Sequence, residues 1–164
     1  MERTKTIHWQ DPMEGAAKAM QMSGLEYLQA MGDGKIPFPP ILHTLDFKVD
    51  SAEKGQAIFS FEPQEFHYNP IGAVHGGVIS AILDSAMGCT LHSILPAGTG
   101  YTTLELKVNF LKAITIKTGV LRAIGKIINS GSRTALVEAQ LLDSNNKLYA
   151  HAVSTCMILK QDAV

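Results

Sequence analysis

Two kinds of apolar spacing divide the chain. Glu14 to Met31 carries good helix formers (Ala16, Ala17, Ala19, Met20), and Leu25 and Leu28 give it a modest stripe, so it predicts an N-terminal helix. Gly32-Asp33-Gly34 should end it, and Pro37, Pro39 and Pro40 should keep the following connector extended. Ile41 to Val49 then alternates, with Leu45, Phe47 and Val49 against Thr44, Asp46 and Lys48. Gln56 to Phe61 alternates again, so the two predict a hairpin turning between Ser51 and Gly55. Val78 to Leu95 is different: its apolar residues surround the helix instead of lining one stripe, the pattern of a buried helix. Pro96 and Gly98 should stop it.

Four strand patterns follow, centred on Leu104–Phe110, Thr118–Ile128, Ala135–Leu141 and Leu148–Ile158. The stretches "NSGS" (Asn129 to Ser132) and "DSNN" (Asp143 to Asn146) have hairpin-turn chemistry. Strands joined by short turns predict an antiparallel sheet. One apolar helix cannot cover itself, so an α+β fold with the sheet wrapped around it is expected. Apolar edges left over would be covered by a second copy.

Composition narrows the classes. With 46% hydrophobic and 18% charged residues over 164 positions, the chain can build a core and does not read as disordered. A net charge of -1 without a dense basic run argues against nucleic-acid binding. Cys89 and Cys156 sit in apolar contexts without metal spacing, and "MERTKTIHWQDPMEG" lacks the apolar core of a signal peptide; a reduced, cytoplasmic protein is the expectation. The longest apolar run is interrupted by Asp84 and Gly88 and makes a poor membrane span. The six histidines show no metal-ligand spacing, and no GxSxG elbow, P-loop or dinucleotide fingerprint is present.

The chemistry gathers in "NPIGAVHGGVISAILD", Asn69 to Asp84. Asp84 lies well inside the apolar helix, and Ser80, Ala81, Met87 and Gly88 around it supply no cation. A carboxylate there either reaches solvent through a gap in the sheet or faces a ligand. His75-Gly76-Gly77 leaves helix N–H groups bare for a developing oxyanion, or is an ordinary glycine-containing helix entry. Asn69 before Pro70 is either a turn residue or an amide aimed at substrate. Thr102 and Thr103 open the strand after the helix and read first as strand formers.

In their order and spacing, Asn69, Gly72, His75-Gly76-Gly77, Asp84 and Gly88 resemble the PaaI-like branch of the hotdog-fold acyl-CoA thioesterases. "SGLEYLQAMGDGKIPFPPI" (Ser23 to Ile41) is similar to that family's N-terminal helix and connector, and "TTLELKVNFLKA" to its strand after the helix. The resemblance implies an N-terminal helix and connector over residues 1–40 and a hotdog domain over 41–164. It implies a homodimer, often a tetramer of two dimers, with sites at subunit interfaces. It implies acyl-CoA hydrolysis without metal or redox cofactor, CoA being substrate. Asp84 would be nucleophile or general base, Gly76 N–H (with Gly77) would polarise the carbonyl, and Asn69 and His75 would assist. Thr102, ahead of Thr103, would approach Asp84 from the facing subunit. Met87 would touch the acyl group, and Arg133, Lys112 or Lys126 the CoA phosphates. An acyl-thioester dehydratase, a non-catalytic acyl-CoA-binding protein and an inert structural protein remain as alternatives.

Overall fold

The computed structural model describes residues 2–160. The N-terminal segment forms two helices instead of the one expected over Glu14–Met31: α1 (Pro12–Ala19) and α2 (Gly24–Gly32). Ser23 causes the break. Its hydroxyl caps the Glu26 N–H while the Glu26 carboxylate returns to the Ser23 N–H, a reciprocal pair that starts a new helix. The start of α2 lies against the end of the long helix α4 (Gly76–His92): a Cβ on Gly24 would stand 1.9 Å from the His92 carbonyl oxygen.

The strand expected from Ile41 begins later. Pro40–Leu45 forms α3, with Pro40 in the first turn, where its fixed φ suits a helix. Asp46 closes α3 in the left-handed region (φ 52°), and β1 occupies Lys48–Glu53. The remaining strands are β2 (Gln56–Phe61), β3 (Thr99–Phe110), β4 (Leu121–Ser130), β5 (Thr134–Leu142) and β6 (Leu148–Lys160). They form one antiparallel sheet in the order β1-β2-β4-β5-β6-β3.

The sheet curls around α4, whose Ile82, Leu83, Ala86, Met87 and Leu91 have no exposed surface. They pack on Phe59, Phe61, Leu121, Val137 and Ala152. The closest approach is at Gly125 on β4, where a Cβ would lie 2.1 Å from Thr90 Oγ1. This is the hotdog arrangement, and α4 is its filling.

One irregularity matters for the site. β3 slips register against β6 between Thr103 and Glu105, and Ser154 Oγ fills the bulge by donating to the Glu105 carbonyl (2.9 Å). The bulge changes the phase of the strand. Tyr101 and Thr103 face α4 before it and Leu106 and Val108 after it, while Leu104 turns out and is 53% exposed. β3 is also an end strand, paired only with β6.

Candidate active site

α4 carries two separate chemical positions. At its start, His75 is the N-cap, and its Nδ1 accepts the Gly77 N–H at 2.8 Å. This spends the Gly77 donor, so it is not free to join Gly76 as expected, and ties the His75 imidazole to the backbone. The His75 and Val74 N–H groups donate to the carbonyls of His67 and Ile114. Buried His67 braces the loop further: its Nδ1 accepts from the Gln64 N–H, and its Nε2 lies 3.0 Å from the Leu45 carbonyl. Burial holds the His67 pKa below the ordinary imidazole value, so it acts as a neutral strut.

Asn69 Oδ1 accepts from the N–H groups of Ile71 and Ala73, both at 3.1 Å, around a turn that Gly72 closes at φ +82°. The Asn69 carbonyl is thereby committed to the loop, and its amide Nδ2 is the group left to offer. Asn69, Gly76, Phe110 and Lys112 line one cleft of about 350 Å³. The Phe110 ring lies over Gly76, where a Cβ would meet it at 3.1 Å.

Asp84 lies eight residues further on, about 12 Å along the axis. It opens into another cavity, of about 200 Å³, with Met31, Pro39, Ile41, Phe59, Cys89 and Tyr101. The connector and α3 therefore roof the carboxylate. Thr103 Oγ1 donates to Asp84 Oδ1 at 3.0 Å within the same chain. The expectation favoured Thr102 from a facing subunit; the bulge phase instead turns Thr103 inward and leaves Thr102 exposed. Among the described residues no ion pair reaches Asp84. A larger hollow of about 620 Å³ under Arg3, Lys5 and Phe66 holds none of the motif residues.

Met87 is corrected as well. It has no exposed surface and belongs to the core, and it does not line the cavity into which Asp84 opens. Cys89 and Tyr101 take its place beside Asp84, and neither was singled out from sequence. Burial first, then the Asp84 charge, pushes the Cys89 thiol up to about 12, so it is a neutral thiol and no nucleophile. Burial, followed by Cys89 and Asp84, raises Tyr101 well above the phenol range, so its hydroxyl keeps its proton. Gly88 was the available signal: a Cβ there would lie 2.5 Å from Tyr101 Oη.

The candidate phosphate contacts separate. Lys126 pairs with Glu138 at 3.7 Å, and Glu138 also meets His151. Lys112 stays at the Gly76 cleft. Arg133 is exposed in the β4–β5 turn; its carbonyl accepts from Ile158, the β6 partner of Tyr101. Among the described residues no three His, Cys, Asp or Glu side chains gather as metal ligands. No helix there is long and apolar enough to cross a membrane.

The chain as a whole has relatives of known family. A family model described as the thioesterase superfamily matches residues 71–150. The esterase-named protein SSO2140 of Saccharolobus solfataricus is 32% identical over 73% of this chain and 84% of its own length. The chain belongs to the thioesterase superfamily. Within it, the 1,4-dihydroxy-2-naphthoyl-CoA hydrolase of Listeria monocytogenes is 27% identical over 70% of this chain and 90% of its own. A phenylacetic acid degradation-related protein of Ralstonia eutropha, whose structure was solved as that of a candidate thioesterase, is 28% identical with a TM-score of 0.72, covering 80% of this chain and 98% of its own. The fold, branch and reaction class agree: this thioesterase is a PaaI-like hotdog thioester hydrolase.

Proposed function

We propose that the protein hydrolyses acyl-CoA thioesters at a site shared by two copies of the chain, Asp84 and Thr103 coming from one and Gly76 and Asn69 from the other. The observation that carries the reading is the separation along α4. A reacting carbonyl must stand about 3 Å from both the attacking group and the oxyanion donor. Gly76 and Asp84 of one chain open into different cavities.

The free edge of β3 supplies the geometry. Pairing two such edges antiparallel about mid-strand carries the Phe110 end, over Gly76, towards the Thr103 end of the other copy, where Asp84 lies. Leu104 (53% exposed), Phe110 (53%) and Ile71 (87%) are the apolar groups such a pairing would cover. The dimer, and any tetramer built from it, is part of this proposal. The Listeria relative, named as a hydrolase of 1,4-dihydroxy-2-naphthoyl-CoA, supports the substrate class.

The chemistry follows from the residues. The Gly76 N–H, at the positive end of a 17-residue helix, donates to the carbonyl oxygen and stabilises the charge that develops there. Asn69 Nδ2 orients the carbonyl or the water. Thr103 holds the Asp84 carboxylate by one oxygen and leaves the other to act. Asp84 either takes a proton from water as it adds to the carbonyl carbon, or adds itself to form a mixed anhydride that water opens. In both routes the tetrahedral adduct collapses with loss of the CoA thiolate, which then gains a proton. His75 Nδ1 serves the Gly77 backbone, which supports a positioning role for this imidazole over that of a dehydratase's catalytic base.

Thiol release from a panel of acyl-CoA and acyl-carrier-protein thioesters is the test. The reading expects turnover on at least one CoA thioester. A panel with none hydrolysed, using correctly folded protein, sinks it. In single turnover in ¹⁸O-water, label recovered in Asp84 identifies an anhydride opened by water at the Asp84 carboxyl carbon, an outcome the general-base route does not give.

A further inference from the structure

We propose that Tyr101, let in by Gly88 and narrowed by Cys89, is the floor of the acyl pocket and limits substrates to acyl groups of about one aromatic ring. The inference rests on the reading of Asp84 as the reacting carboxylate. It adds the residue that decides which acyl groups fit.

Gly88 follows Asp84 by one turn on the same side of α4, about 6 Å along the axis. A Cβ at this position would stand 2.5 Å from Tyr101 Oη and 2.8 and 2.9 Å from its ring carbons. The phenol therefore lies directly across the helix backbone, where any side chain would exclude it. Behind it the ring is held. His92 meets it edge-on at 5.6 Å, and Tyr27 stacks on His92 at 5.6 Å. Tyr101 is also fixed in β3 opposite Ile158. It is a wall with backing, not a side chain free to swing away. The Cys89 thiol stands beside it on the helix side, and Ile41 and Met31 roof the space.

The resulting cavity of about 200 Å³ sets the scale. A cavity of ~150 Å³ takes one benzene, so this one takes a single ring or a chain of about six carbons. A long chain leaving Asp84 in this direction runs into Tyr101 within about one helical turn.

The test is kcat/KM for a saturated series from acetyl-CoA to palmitoyl-CoA, with benzoyl-CoA, on wild type, Tyr101→Ala, Tyr101→Phe and Cys89→Leu. Binding of the same thioesters to each form in an Asp84→Asn background is measured by calorimetry, which reads the pocket without the chemistry. Wild type should lose about tenfold or more for each carbon pair beyond the cut-off. Tyr101→Ala should move the cut-off two to four carbons longer (roughly one side-chain volume). Tyr101→Phe should leave the cut-off in place, because the ring sets it, and Cys89→Leu should shorten it. Unchanged length profiles in both Tyr101→Ala and Cys89→Leu would overturn the proposal. If Tyr101→Ala does not fold, the shift in Cys89→Leu decides alone. Length-dependent binding that Tyr101→Ala shifts, without hydrolysis in wild type, would sink the hydrolase reading and keep the floor. Hydrolysis with no shift in either variant would do the reverse.

Discussion

The start and the middle of α4 are built in opposite ways. At the start, backbone groups do the work. His75, His67, Asn69 and Gly72 spend their hydrogen bonds shaping a loop, and the product is one bare N–H at Gly76. Two turns on, a side chain does the work. Among the described residues, Asp84 is held by one hydroxyl and stands in a largely apolar chamber without a cation. The first position is a rigid donor of partial positive charge, the second a negative charge left ready to react. In one chain the two open into different cavities. On the proposed reading the reaction centre is divided between these two surfaces, and the free β3 edge is the element that would join them.

Asp84→Asn should break the negative half. Turnover should fall about 10³-fold or more, while the melting temperature stays level or rises, because the chamber loses a charge it pays to hold. Activity within tenfold of wild type would move the reacting group elsewhere. Gly76→Pro should break the positive half. Proline suits the first helical position and His75 already has an extended ψ of 136°, so the substitution removes the N–H while α4 still starts there. Loss of one oxyanion donor should lower kcat about 10²- to 10³-fold. Should Gly76→Pro and Gly76→Ala prove equally active, the N–H is not the donor.

Thr103→Val is a finer cut. A hydrogen bond to a charged group contributes about 1.5–3 kcal/mol, so turnover should drop roughly ten- to a hundredfold. Thr102→Val, on the outer face, should stay within about twofold. The reverse ranking would mean that the bulge phase differs from that described.

The smallest effect is on stability. Burial depresses both His67 and His92, so the unfolded chain binds more protons than the native one below the ordinary imidazole pKa. Native stability should be fully present above about pH 6.5 and decline as pH falls towards the depressed values. Thermal melts from pH 8 to 5 read this, and His67→Gln should flatten the decline.

Much of this was legible in the chain. The all-round apolar character of Val78–Leu95 marked α4 as buried, although the helix starts two residues earlier, at Gly76. The alternating runs located β2, β5 and β6. Three features escaped for local reasons. Ser23, which falls inside the helix expected over Glu14–Met31 and also opens the stretch similar to the family's N-terminal helix, is an N-cap that splits the first helix. Pro40, read as extending the connector, opens α3. The regular alternation of Leu104 to Phe110 hid a bulge, and without it the phase of Thr103 and Tyr101 cannot be read. The motif from Asn69 to Gly88 held the groups on which the proposed reaction draws. It did not reveal that Asn69 and His75 spend hydrogen bonds on the loop, or that Gly88 makes room for Tyr101. The first are side-chain-to-backbone bonds within four residues and the second is packing between α4 and β3, and hydrophobic periodicity encodes neither.

The division of the site is tested most directly by complementation. Asp84→Ala and Gly76→Pro chains, each inactive alone, are refolded together and assayed for thiol release. In the mixed dimer one site joins an intact Asp84 to an intact Gly76, so random pairing should restore about a quarter of wild-type activity. A mixture no more active than its parents, with mixed dimers shown to have formed, would place both groups in one chain's site and contradict the account.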